Sequence, residues 1–229
     1  MPSRLILSAS GKVEPAEILK LAEGLFGDME NWPGVPIGTA EFSGGVRNDR
    51  RDFEQAHWCL ALPGFAASDP RLSALSVFVQ ALGGGMSSRL FQELREDRGL
   101  AYSVSAWHQA YADTGLVALS CAADRTRAVE SMNLARAVLA DAVETLNDTE
   151  VNRACAQLRA GLLMGMESAQ GRADQMARSI EVFGRILPVE ELLSHLAAVD
   201  TAAARAAGAA LLDGRAAVAS VGAQLALAA

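Results

Sequence analysis

The sequence predicts an α+β fold, a two-layer domain in which an antiparallel-dominated sheet carries helices packed on one face. Two strand-like runs lie on either side of the turn residues 112–115 and predict a β-hairpin. After Asp124 the apolar residues recur almost entirely at helical spacing. Hairpin-linked strands followed by segregated helices argue against a doubly wound parallel sheet. The chain has strands for one sheet only, which predicts a single domain over residues 1–229.

The N-terminal part of the chain predicts two strands, a helix and an irregular segment. The run RLILSASGKV at 4–13 predicts a buried strand closed by Gly11. Pro15 suits the first turn of the helix that follows. Residues 28–51 are rich in glycine and proline and predict an irregular surface connector. The run QAHWCLALPG at 55–64 predicts the second strand.

Two helices separated by three glycines precede the hairpin. Asp69 and Pro70 have the residue types of a helix cap and first turn, so they predict the start of the first helix. The second helix is short, and it should begin near Ser87 or Ser88 and end at Gly99, a residue type common just after a helix. The C-terminal part predicts further helices and a closing strand, at 125–146, 149–168, 171–184, 189–197, 201–212 and 216–222.

The short second helix carries a dense run of charge. On a wheel with about 100° per residue its buried arc contains Leu90 and Leu94, and Arg98 falls inside that arc. Arg95 falls on the border of the arc. The structural interpretation is that Arg95 and Arg98 each reach a carboxylate and that Tyr102 is a core aromatic.

Composition narrows the function classes. The chain has 229 residues, with 20 Lys+Arg against 27 Asp+Glu and a formal net charge of −7. Nucleic-acid binding requires clustered positive charge and is therefore not expected. No apolar run approaches the roughly 20 residues of a membrane span. Three cysteines are too few and too scattered for a disulfide framework. The compartment stays open between the cytoplasm and the periplasm of a bacterium.

Motifs for a catalytic metal or nucleophile are absent from the sequence. Neither H-E-x-x-H nor H-x-x-E-H occurs, and there is no G-x-S-x-G or P-loop pattern. His57, Cys59 and His108 could meet at a metal if the strands brought them together, but their ordinary interpretation is as residues of a sheet surface. The sequence therefore predicts no metal site in this chain.

The stretch GGGMSSRLFQELREDRGLAYSVSAWHQAYADTG at 83–115 resembles the second-half domain of the pitrilysin-family zinc metallopeptidases, which include mitochondrial processing peptidase and insulysin. Residues 4–29 resemble the opening strand and helix of that domain, and residues 167–200 resemble its late helices. The resemblance therefore covers nearly the whole chain, and it implies a metallopeptidase half-clam fold.

In that family two homologous halves close around a peptide. The first half holds zinc on H-x-x-E-H and a distal Glu, and the second contributes an Arg and, seven positions later, a Tyr. Arg95 and Tyr102 match this spacing. The resemblance implies that both bind the substrate carbonyl at zinc held by a partner half missing from this chain. It also implies that Gly83, Gly84, Gly85 and Ser87 lie at the chamber wall, where they contact the peptide.

Three functions remain open at this stage. The first is the substrate-binding half of a zinc endopeptidase, whose zinc-bearing half is either part of the same polypeptide or a separate chain. The second is a catalytically inactive structural subunit of the same superfamily, and the third is a small-molecule enzyme or binding module. Without a partner the chain should bind no catalytic zinc and cleave nothing. Self-association into a homo-oligomer through the exposed concave face is a further expectation.

Overall fold

The computed structural model describes residues 5–30 and 38–226. These residues form two compact units. The first takes its described residues from Met1–Thr39 and Arg159–Leu193, and the second takes them from Ala40–Leu158 and Ser194–Ala229. The organisation of residues 1–229 as a single domain stays a prediction.

The second unit contains a five-stranded sheet. Its strands are β1 Gly45–Asp49, β2 Gln55–Gly64, β3 Ala101–Ala110, β4 Gly115–Asp124 and β5 Ala217–Val221. Their order across the sheet is β1-β5-β2-β4-β3. Only the β1–β5 pair is parallel, and the other three pairs are antiparallel. The prediction of an α+β fold with an antiparallel-dominated sheet is confirmed.

The described ranges contain seven α-helices. They are α1 Pro15–Phe26, α2 Leu72–Gly83, α3 Ala128–Thr145, α4 Asp148–Gly165, α5 Ala169–Phe183, α6 Val189–Ala197 and α7 Thr201–Ala209. A π-helix spans Phe91–Asp97, and a short 3-10 turn spans Arg125–Arg127. The helices predicted from the apolar spacing are therefore confirmed, as are the strand at 55–64, the hairpin and the closing strand. The predicted start of α2 at Asp69 and Pro70 is wrong, because the helix begins at Leu72 with Arg71 in the cap position.

The core of the second unit lies between the sheet and helices α2, α3 and α7. Alternate residues of β2 point into it, and Trp58 and Leu60 are both buried. The Trp58 Nε1–H donates a hydrogen bond of 2.9 Å to Ser131 Oγ on α3. Phe78 of α2 is fully buried, and a Cβ added to Gly208 of α7 would lie 2.4 Å from its ring. Helices α2 and α7 therefore pack in close contact.

The predicted buried strand at 4–13 is wrong over the residues that the structure describes. Residues 5–13 form no strand, and Leu5, Ile6 and Leu7 are exposed. A strand needs a neighbour to accept and donate its backbone hydrogen bonds. Within 5–30 and 38–226 this segment has no neighbouring strand, so its apolar pattern alone does not produce one.

The predicted irregular connector at 28–51 is partly wrong. Residues 45–49 form β1, which pairs in parallel with β5 along its whole length. Four residues of this predicted connector lie outside the described residues, namely Trp32, Pro33, Gly34 and Pro36. The sequence GVRND is short and polar because β1 is an edge strand.

Two further expectations concern cysteines and membranes. Cys59, Cys121 and Cys155 are all free thiols. Burial raises the pKa of the Cys121 thiol to about 11, so it is protonated at neutral pH. Among the helices that the structure describes, none has the length and apolar content needed to cross a membrane.

Candidate functional site

Arg95 lies on the π-helix Phe91–Asp97, which begins directly after Leu90. In a π-helix each backbone N–H reaches five residues back, so one turn contains more residues than an α-helical turn. Leu90 and Leu94 are fully buried and hold the helix against the core, while Arg95 is exposed. The prediction that Arg98 lies in the buried arc is wrong, because the 100° step of an α-helix does not apply here. The Arg98 side chain is exposed.

The π-helix ends in a tight turn at Gly99. Gly99 has φ +56°, the left-handed conformation that glycine adopts without a side-chain clash. The N–H of Leu100 donates a hydrogen bond of 2.7 Å to the carbonyl of Leu94, which closes the helix end. The predicted role of Gly99 as a helix terminator is therefore confirmed. The chain enters β3 two residues later.

Tyr102 occupies an irregularity in β3. Ala101 pairs with Ala123 of β4 and Ser103 pairs with Ala122, so Tyr102 is an extra residue with no partner opposite it. Such a β-bulge redirects a side chain, and bulges are frequent next to active sites. Tyr102 is 57% exposed. The alternative in which it is a core aromatic is therefore wrong.

Arg95 and Tyr102 both lack a polar partner within the described part of the chain. The Arg95 guanidinium lies 4.9 Å from the centroid of the Phe91 ring, a cation–π contact, and no described carboxylate pairs with it. Arg98 differs, because its Nε lies 3.9 Å from a carboxylate oxygen of Glu93. The Tyr102 hydroxyl likewise has no hydrogen-bond partner among the described residues. Two hydrogen-bond donors thus flank the Gly99 turn and remain available to a ligand.

The three glycines before the π-helix have different surroundings. Gly83 ends α2 and is buried, and a Cβ on it would lie 2.4 Å from the backbone nitrogen of Ala106. Close packing of α2 on β3 is therefore enough to require glycine at position 83. Gly84, Gly85 and Ser87 are exposed. Contact of these four residues with a peptide stays a prediction.

Replacing Gly83 by alanine should lower the free energy of unfolding by about 1–3 kcal/mol, because the new methyl group would overpack the α2–β3 contact. Gly85→Ala is the matched control. A Cβ at Gly85 meets no atom within 4 Å and its φ is not positive, so its effect should stay within about 0.5 kcal/mol. Urea unfolding of both variants measures the difference. Equal stabilities would contradict the packing role of Gly83.

A polar network that the sequence did not reveal lies at the start of the helix that carries Arg95. Arg89 makes an ion pair with Glu150 of α4 and another with Asp141 of α3. These residues line a cleft of about 800 Å³ together with Ser87. Burial opposes ionisation of Glu150, but the Arg89 guanidinium and the Asn147 backbone N–H hold its pKa below the ordinary value. Arg89 and Glu150 are 61 positions apart, so no local pattern could have indicated the pair.

The side chains of this chain do not fit a zinc ion within the residues that the structure describes. No three His, Cys, Asp or Glu side chains of 5–30 and 38–226 lie close enough together to hold a metal. His57, Cys59 and His108 form no such group, and His108 Nε2 lies 2.8 Å from Ser76 Oγ.

Two solved structures share the fold of this chain. A crystal structure of a peptidase M16 inactive domain from Pseudomonas fluorescens superposes with a TM-score of 0.79, at 21% identity over 95% of this chain and 53% of that one. A protease from Helicobacter pylori gives the same TM-score at 15% identity, over 93% of this chain and 53% of that one. At these identities the likeness shows the fold alone, which is an α+β fold found in peptidases.

The family follows from the sequence comparison. The model of the family described as peptidase M16 inactive domain matches residues 1–158, more than half of the chain. The chain belongs to this family, as a C-terminal domain of the zinc protease type. The resemblance to the non-zinc half of pitrilysin-type peptidases is confirmed.

Curated relatives are longer than this chain. An uncharacterized zinc protease of Streptomyces coelicolor is 33% identical over 208 residues, which are 86% of this chain and 45% of the relative. One from Mycobacterium tuberculosis is 33% identical over 202 residues, with 85% and 46% covered. One from Bacillus subtilis is 28% identical over 201 residues, with 87% and 49% covered. The chain thus spans about half the length of these relatives.

Proposed function

We propose that this chain is the substrate-binding half of a zinc-dependent endopeptidase, in which Arg95 and Tyr102 bind the peptide carbonyl that is cleaved. One observation carries the proposal. Two exposed donors flank Gly99, one on a π-helix and one in a β-bulge, and neither has a polar partner among the described residues. Both kinds of backbone irregularity are frequent at functional sites.

The chemistry of the two side chains suits this role. Attack on a peptide carbonyl places negative charge on its oxygen, and donors aimed at that oxygen stabilise the transition state more than the ground state. The guanidinium of Arg95 stays positively charged and presents a rigid fork of N–H donors. The phenol of Tyr102 adds a neutral O–H donor. Together they would orient the carbonyl and stabilise the developing charge.

The zinc is proposed to reside in a homologous partner half, either in the same polypeptide or in a separate chain. Zinc supplies Lewis-acid polarisation and an activated water when it is bound there. The length of the relatives supports this arrangement, because about half of each relative lies outside the region that this chain matches. Gly84 and Gly85 have no side chain and Ser87 is exposed, so a peptide could approach the backbone of this segment closely.

The alternative function is a catalytically inactive structural subunit. A structural subunit has no need for an exposed cation and an exposed phenol that both lack partners. In such a subunit, contacts within the fold could pair both groups. The exposure of Arg95 and Tyr102 therefore favours the peptidase function over the scaffold function.

Mixing the two halves tests the proposed function. A quenched fluorescent peptide is incubated with the zinc-bearing half, with this chain, and with both together. Cleavage is expected only in the mixture, and serum albumin in place of this chain controls for non-specific stabilisation. Equal cleavage by the zinc-bearing half alone would overturn the proposal. Binding of the halves without cleavage would support the scaffold function instead.

The expected homo-oligomer is tested separately, by light scattering of this chain alone.

A further inference from the structure

We propose that Arg89 is a positioning residue, which fixes the start of the π-helix against α3 and α4 and thereby sets the direction of Arg95. The proposal rests on the proposed function, because Arg95 is the group that Arg89 would position. Arg89 lies six residues before Arg95, on the first turn of the same helical segment.

The contacts of Arg89 join three helical elements. Its Nε and Nη2 donate to the two carboxylate oxygens of Glu150 at 2.6 and 2.7 Å. Its Nη1 donates to Asp141 Oδ2 at 2.9 Å and to Thr145 Oγ1 at 2.6 Å. The two-pronged contact with Glu150 fixes the plane of the guanidinium as well as its distance. The Arg89 and Glu150 side chains are only 15% and 14% exposed, so water competes little for these bonds.

Glu150 is itself held rigidly at the start of α4. The backbone N–H of Asn147 donates to Glu150 Oε2 at 3.0 Å, and Asn147 Oδ1 accepts from the backbone N–H of Glu150 at 3.2 Å. This reciprocal pair is a capping box, with Asn in the place of Ser or Thr. Arg153 of the same helix donates to the carbonyl of Ser87 at 3.1 Å. Helix α4 therefore contacts both Arg89 and the loop just before it.

The hydrogen bonds of Arg89 oppose rotation of the helix about its axis, which the apolar contacts of the helix constrain only weakly. Leu90 and Leu94 bury the helix, but apolar packing has no preferred direction and constrains rotation about the helix axis weakly. A π-turn is rare, and a change to α-helical spacing would rotate the residues that follow. Arg89 opposes that rotation at the start of the helix, and the Leu100–Leu94 hydrogen bond opposes it at the end. Arg95 lies between these two points.

Variants of Arg89 in the assembled two-half protease test the proposal. Arg89→Gln is expected to lower kcat by about 10- to 10²-fold with little change in KM, as for a displaced catalytic group. Arg89→Lys should recover only part of this loss, because lysine keeps the charge but lacks the fork. Arg125→Gln is the matched control, since Arg125 makes an ion pair with the exposed Asp52 and should leave kcat unchanged. Thermal unfolding of each variant reports the folded fraction, and Arg89→Lys carries the test if Arg89→Gln does not fold.

A double-mutant cycle with Arg95→Ala separates positioning from a general structural role. If Arg89 acts through Arg95, the double variant should be no slower than Arg95→Ala alone. Multiplicative losses, or a loss of kcat equal to the loss of folded protein, would overturn the proposal. If Arg95→Ala alone has no effect, the proposed function fails and the positioning role fails with it. If Arg95→Ala is slow but Arg89→Gln and Arg89→Lys are not, only the positioning role fails.

Discussion

Replacing Arg95 by alanine is expected to lower kcat/KM of the assembled protease by about 10²- to 10³-fold. This is the usual cost of removing one donor that stabilises a developing oxyanion. Tyr102→Phe, which removes only the phenolic oxygen, should lower it by a similar factor. Neither variant should unfold the chain, because both side chains are exposed and Arg95 contacts only the Phe91 ring among the described residues. Steady-state cleavage of a fluorescent peptide measures the effect.

Arg98→Ala provides the control for this experiment. Arg98 is also exposed and follows the same helix, but it lies near Glu93 and outside the Arg-Tyr spacing. Its removal should change kcat/KM by less than about twofold, in line with the small energies of surface ion pairs. Equal losses for Arg95→Ala and Arg98→Ala would indicate a general effect of positive charge and contradict a specific contact.

Replacing Phe78 by alanine is expected to lower the free energy of unfolding by about 3–5 kcal/mol. Phe78 is fully buried, and its ring packs directly against Gly208 between α2 and α7, where a larger residue than glycine would clash. The α2 backbone cannot move far into the cavity, because α2 is also held against β3 at Gly83. The loss of stability therefore includes the hydrophobic transfer free energy that the ring contributed and the cost of the cavity that remains. Urea denaturation of the purified chain measures it.

Phe53→Ala is the matched control for the core. Phe53 is 55% exposed, and its truncation should change the unfolding free energy by no more than about 0.5 kcal/mol. A loss below about 1 kcal/mol for Phe78→Ala would show that the contact between α2 and α7 contributes little to stability.

Most of the fold was predictable because its elements carry local signals. Strand β2 runs from Gln55 to Gly64, the bounds that the run QAHWCLALPG with its terminal Pro-Gly predicts. The segment at 5–13 has an equally apolar pattern, but a strand also depends on a neighbour, which no local pattern encodes. Strand β1 shows the opposite case, because its polar sequence gives no strand signal. Its partner β5 lies far along the chain, and Gly45 pairs with Ala217, 172 residues later.

The sequence did not reveal the geometry of the candidate site. The family resemblance identified Arg95 and Tyr102, and their roles stay a proposal. The wheel failed at Arg98 because nothing in FQELRED distinguishes a π-turn from an α-turn. The exposure of Tyr102 depends on a bulge that is defined only by the register against β4. The Arg89 network depends on contacts with α3 and α4, which are remote in sequence.

The seven positions from Arg95 to Tyr102 cross from the π-helix into β3, so neither element alone sets the directions of the two donors. The stretch includes the end of the π-helix, the left-handed Gly99 and the bulge at Tyr102. The directions of Arg95 and Tyr102 therefore depend on the backbone shape of this short stretch. An insertion or deletion there would redirect one donor while leaving both residue types intact.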